Sequence, residues 1–145
     1  MIVEIHSLED TKQFAEKMAG MVKGRQALIC MDGDLGAGKT TFTQSLGKAL
    51  GVKNVINSPT FNIMKTYKQG DGLPFTHIDA YRLEGVHQDL GFEDYFDDGV
   101  TVIEWSHFMA DQLPEDLILI KIEQGDDEER TFEVTGTGKW SEVFS

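Results

Sequence analysis

The run Gly33-Asp34-Leu35-Gly36-Ala37-Gly38-Lys39-Thr40 constrains this chain more than any other feature. It fits the pattern GxxxxGK[ST] at every fixed position. Glycines at those places let the backbone bend so that successive N–H groups point inward at phosphate oxygens. The helix that follows adds its positive N-terminal end. Lys39 supplies a cation for the outer phosphates, and the Thr40 hydroxyl a ligand for Mg²⁺. The setting matters more than the string. Gln26–Met31 is a continuous apolar run, as expected of a strand buried on both faces of a parallel sheet. Lys39–Leu50 reads as a helix stopped by Gly51. Strand, glycine loop and helix in that order open an α/β fold.

The flanking segments extend the same architecture. Ile2–His6 reads as a short edge strand. Ser7, with Asp10 three residues on, resembles a capping box and opens a helix. Phe14, Ala15, Met18, Ala19, Met21 and Val22 give that helix an apolar face, and Gly24 ends it. Phe61–Tyr67 and Phe75–Tyr81 flank a Gly-rich turn as a hairpin. Gln88–Asp97 reads as a short acidic helix or loop. Val100–Trp105 is another apolar strand, followed by a short helix over Ser106–Leu113. Leu117–Glu123 and Thr131–Thr135 form a second hairpin. The expectation is one domain over residues 1–145, with a mixed, partly parallel sheet flanked by helices. The tail from Gly136 onward is expected to fray.

A phosphate loop needs a carboxylate for its metal. Asp79 and Glu104 each end a strand-like run, and ligands in such sheets gather at the carboxyl ends of strands. Asp32 and Asp34 are rivals, being nearer in sequence. His77 shares a strand face with Asp79 and reads as structural. Arg82 reads as an ion-pair partner of the surrounding acids rather than an arginine finger. Cys30 reads as a small buried hydrophobe. Ser58-Pro59-Thr60-Phe61 lies where a switch loop follows the first helix in small NTPases, and Thr60 there can sense the γ-phosphate through Mg²⁺. The Asn-Lys-x-Asp pattern that reads guanine is absent from the sequence, which favours ATP.

Charge bears on partners. The 145-residue chain has 13 basic and 25 acidic side chains, a net charge of −12, and so is poorly suited to grip nucleic acid alone. Residues 1–72 hold 9 basic and 7 acidic side chains, whereas residues 73–145 hold 4 and 18. Glu84–Asp98 has six acids and no Lys or Arg, either a solvated surface or a docking face for a basic partner. One cysteine excludes an intrachain disulfide, and no apolar run approaches a membrane span, so a cytoplasmic protein is expected.

Taken together, Gly33–Thr41 (GDLGAGKTT), Ser58–Phe61 (SPTF), His77–Leu83 (HIDAYRL) and Ile103–Trp105 (IEW) resemble the TsaE family, formerly YjeE, in order and spacing. The resemblance runs from about Ser7 to Pro114. It implies a small P-loop ATPase acting with TsaD and TsaB to make threonylcarbamoyladenosine beside the anticodon of tRNAs that read codons starting with A. It further implies that Lys39 meets the phosphates, that Thr40 ligates Mg²⁺, and that Asp79 and Glu104 serve the metal and the attacking water. Thr41 continues the loop pattern, Asp10-Thr11 matches a short family pattern near the nucleotide, and Trp105 is the family's aromatic beside the acid. Contact with tRNA would be only indirect, through TsaD and TsaB. A small-molecule kinase and a nucleotide-gated binding module are the alternatives. The chain has only Arg25, Arg82 and Arg130, which leaves it without the Arg-rich lid usual in kinases.

Overall fold

The computed structural model describes residues 1–33, 38–57, 63–81, 94, 96–126 and 129–144. The expected Asp34–Ala37 part of the phosphate loop, the Ser58–Phe61 switch-like loop with Thr60, Arg82, and most of Gln88–Asp97 lie outside those residues.

Chain order is β1 (Ile2–Ile5), α1 (Leu8–Val22), β2 (Ala27–Gly33), α2 (Lys39–Ala49), β3 (Met64–Lys68), β4 (Pro74–Asp79), β5 (Val100–Glu104), β6 (Leu117–Gln124) and β7 (Arg130–Thr137). Two 3-10 helices, Ser106–Gln112 and Gly138–Trp140, complete the described elements. Local chemistry explains the boundaries. The Ser7 side chain accepts from the Asp10 amide at 3.2 Å, and Asp10 Oδ2 accepts from the His6 amide at 2.9 Å, so both residues cap α1. Beyond α1, Gly24 turns the chain at φ +72°, a conformation that glycine adopts without steric cost.

The strands form one seven-stranded sheet in the order β1-β7-β6-β2-β5-β4-β3. The centre is parallel: β2 lies between β6 and β5, and β4 continues beside β5. Both margins are antiparallel, through the β3–β4 hairpin and the β1–β7–β6 group. Residues 27–31 of β2 are fully buried, as their unbroken apolar run requires. On one face α1 and α2 pack over the sheet, and Phe14, Phe42 and Phe132 meet with ring centroids 5.5–5.7 Å apart. On the other face Leu28, Cys30, Ile78, Ile103 and Met109 form a smaller core under the Ser106–Gln112 helix. The mixed, partly parallel sheet is thus as the sequence indicates.

The chain's end differs from expectation. From Gly136 the backbone completes β7 and turns into Gly138–Trp140 instead of fraying. Trp140 and Phe144 are buried, at 0% and 2% exposure. The Arg25 guanidinium lies 4.6 Å from the Trp140 ring, and Lys139 Nζ donates to the Gln26 carbonyl at 3.0 Å. Gly136 permits this closure: a Cβ there would sit 2.0 Å from the Trp140 carbonyl oxygen. Two large aromatic side chains removed from water outweigh the breaker residues around them.

Candidate functional site

Three parallel strands run side by side, and their register aligns Met31 of β2 with Glu104 and Asp79, the last residues of β5 and β4. Backbone bonds hold the row as the chain leaves it. Trp105 N donates to the Met31 carbonyl and Ala80 N to the Glu104 carbonyl, each at 2.9 Å. Past the end of β2, Gly38 stands at φ +100° as the N-cap of α2. A side chain at that position would be strained. Lys39 and Thr40 are the first two residues of α2, so helix geometry delivers both to the strand ends.

Contacts there are dense. Thr40 Oγ1 donates to Glu104 Oε1 at 3.2 Å. The other carboxylate oxygen, Oε2, bonds Nε2 of His77. Glu104 and His77 are buried, at 3% and 0% exposure. A buried carboxylate persists only where hydrogen bonds or opposite charge compensate it, and here both oxygens are engaged. Lys39 Nζ donates to the Gly33 carbonyl at 2.8 Å and sits 4.0 Å from the centre of the Trp105 ring, a cation–π contact.

Trp105 itself turns through φ +59°, the only such non-glycine residue described. Asp32 clamps this turn. Its carboxylate accepts from Ser106 Oγ at 2.8 Å, from the His107 amide at 3.0 Å and from His107 Nδ1 at 2.7 Å. Those bonds offset a backbone strain on the order of 1–3 kcal/mol. Tyr81 and Phe108 pack on the same indole, at 5.1 and 5.9 Å between centroids.

The structure therefore brings Gly33, Gly38, Lys39, Thr40, Glu104 and Trp105 together. Asp79 is one strand over and half-buried, and its Oδ1 accepts from the Tyr81 amide at 3.0 Å. Asp32, a rival for the metal acid, spends its carboxylate on the turn after β5. Thr41 is half-buried on α2. Asp10 and Thr11 lie in the first turn of α1, where Asp10 caps the helix and Thr11 is buried. His77, read from sequence as structural, proves to bond the acid directly. Its alternation with Asp79 was the available signal. Burial pushes the Cys30 thiol up to about 12, with the nearby Asp32 charge adding to the effect, so Cys30 is no nucleophile. Among the described residues no group of three or more His, Cys, Asp or Glu is placed to hold a metal by itself.

Comparison with known proteins points one way. The family model described as "Threonylcarbamoyl adenosine biosynthesis protein TsaE" matches residues 5–132. The tRNA threonylcarbamoyladenosine biosynthesis protein TsaE of Bacillus subtilis is 42% identical over 137 residues, covering 94% of this chain and 85% of its own. The protein of the same name from Streptomyces coelicolor is 38% identical over 139 residues, covering 90% and 93%. A crystal structure of Bacillus subtilis YdiB has a TM-score of 0.80 at 34% identity, covering 99% of this chain and 90% of that one.

Proposed function

The chain belongs to the TsaE family of threonylcarbamoyl adenosine biosynthesis proteins, and from that premise we propose that it serves tRNA threonylcarbamoyladenosine biosynthesis as a Mg²⁺-dependent ATPase. One observation carries the ATPase reading. A buried carboxylate, Glu104, meets the hydroxyl of the residue that follows the loop lysine, at the first turn of a helix.

Each side chain has a derivable task. Lys39 would pair its ammonium with the outer phosphates of ATP, leaving the Gly33 carbonyl or sharing itself with it. The indole of Trp105 keeps that ammonium at the strand ends. The loop amides and the α2 N-terminus favour anionic phosphate. The Thr40 hydroxyl and the Glu104 carboxylate beside it are hard oxygen donors, as is the Asp79 carboxylate on the next strand, and they suit Mg²⁺ better than a softer metal. When bound, Mg²⁺ would neutralise charge on the phosphates during transfer. Glu104 and Asp79 would orient the attacking water.

The family setting extends the reading to partners. TsaD and TsaB would form the modifying unit, this chain would dock on them, and tRNA would be reached only through them. A cytoplasmic location follows from that role. No described helix is long and apolar enough to cross a membrane. Calorimetry with ATP and GTP in the presence of Mg²⁺ tests the nucleotide. Tighter ATP binding is expected, and equal or tighter GTP binding would reject it.

A further inference from the structure

We propose that His77 is the positioning residue of the hydrolytic site: it fixes the Glu104 carboxylate so that one oxygen stays aimed at Thr40. The inference rests on the ATPase reading and deepens it. Three features support it. First, the two Glu104 oxygens are divided, Oε2 to His77 Nε2 and Oε1 to Thr40 Oγ1. A carboxylate carries only lone pairs, so Nε2 must hold the hydrogen and donate. Rotation of the carboxylate about its last bond would break both contacts at once. Second, the pairing is built into the sheet. His77 lies two residues before the end of β4 and Glu104 ends β5, so adjacent parallel strands set their separation. Neither residue depends on a loop for its place.

Third, no packing need explains a histidine there. Its ring is fully buried, its register partners are Val102 of β5 and Lys65 of β3, and its Nδ1 has no hydrogen-bond partner among the described residues. Leucine or phenylalanine would fill the space without burying a bare ring nitrogen, which carries a desolvation penalty. The polar ring is therefore accounted for by its one bond, to Glu104. In this arrangement Thr40, Glu104 and His77 form a single line from helix α2 through β5 to β4. His77 touches no substrate. It acts through Glu104 by denying the acid other rotamers, and Glu104 then meets metal and water in a fixed orientation.

The test measures Mg²⁺-ATP hydrolysis and nucleotide affinity for His77→Leu, His77→Gln, Glu104→Gln and the His77→Leu/Glu104→Gln double variant, each first checked for a cooperative thermal melt. His77→Leu should lower kcat about 10- to 100-fold, the range for partners that orient a metal-site ligand, with KM and ATP affinity nearly unchanged. His77→Gln, whose side-chain amide can donate from about the position of Nε2, should recover most of the lost kcat. The double variant should be no slower than Glu104→Gln, because both changes remove one interaction. Wild-type kcat in His77→Leu, loss without rescue in a folded His77→Gln, or additive losses in the double variant would overturn the proposal. Normal hydrolysis by Glu104→Gln would instead overturn the role of the acid, and the positioning role with it.

Discussion

At the scale of single residues, the proposed ATPase assigns the row formed by Asp79 and Glu104 to chemistry rather than to ground-state binding. Glu104 is buried and bonded to Thr40, while Asp79 is half-buried and accepts from the Tyr81 amide. Neither is a cation, so neither adds attraction for ATP itself. In the proposed ATPase their value would lie in orienting metal and water as the phosphoryl group transfers. Glu104→Ala and Asp79→Ala should each cut kcat far more than they weaken ATP affinity, as loss of a contact realised in the transition state requires. Steady-state kinetics beside calorimetry reads both quantities. Equal losses in each would mean that the acids merely bind. Normal turnover in both variants would move the metal acid elsewhere, to Asp34. Cys30 offers a second residue-scale test. Its thiol is pushed from 9.0 up to about 12, mainly by burial. The native protein therefore keeps its proton at pH values where the unfolded chain has lost it. That contribution to stability is intact below about pH 9 and falls as pH rises toward about 12. A thiol reagent at pH 8 should label Cys30 only when denaturant is added. Fast labelling of the folded protein would contradict its burial.

At the scale of elements, the C-terminal closure depends on Trp140. The ring is fully buried, and Arg25 lies over it. Trp140→Ala should cost about 3–5 kcal/mol in a denaturant melt, the usual range for a large aromatic in a core. A change near zero would return the segment to the frayed tail expected of a chain terminus. This segment shows where sequence reading stops. The strands, both hairpins, α1 and α2 were legible because each follows from local period and punctuation: alternation, the Ser7 cap, Gly24 and Gly51. The loop lysine, Thr40 and the two strand-end acids were legible for a related reason, since parallel strands align their ends. What stayed hidden depends on partners distant in sequence. Trp140 packs against Arg25, Asp32 bonds Ser106 and His107, and His77 finds Glu104 on the next strand. No local pattern marks such pairs. Asp10 is a helix cap, a role that its place three residues after Ser7 already marks in the sequence.

At the scale of the whole molecule, charge bears on docking. The excess acid lies after residue 72, with six acids between Glu84 and Asp98. Arg25 sits over Trp140, and Arg130 stands at the start of β7. An arginine supplied in trans raises phosphoryl-transfer rates by about 10³-fold or more in comparable enzymes. Docking of an acidic surface on a basic TsaD–TsaB face would suit that need. Association should then weaken with salt, because exposed charges are screened over roughly 10 Å at ~0.1 M. Replacing several acids within Glu84–Asp98 by Lys should lower association while leaving nucleotide affinity intact. Unchanged association would remove the acidic face from the account and leave the nucleotide site untouched.

The most direct test is Mg²⁺-dependent ATP hydrolysis by this chain, wild type and Lys39→Ala, alone and with TsaD and TsaB added. Lys39 is the amine that the start of α2 brings to the strand ends, so its removal should abolish turnover and weaken ATP binding. The account predicts slow hydrolysis by the wild type alone, faster hydrolysis in the assembly, and none above background for Lys39→Ala in either setting. Wild-type turnover by Lys39→Ala, or no hydrolysis by the wild type even with both partners, would contradict it.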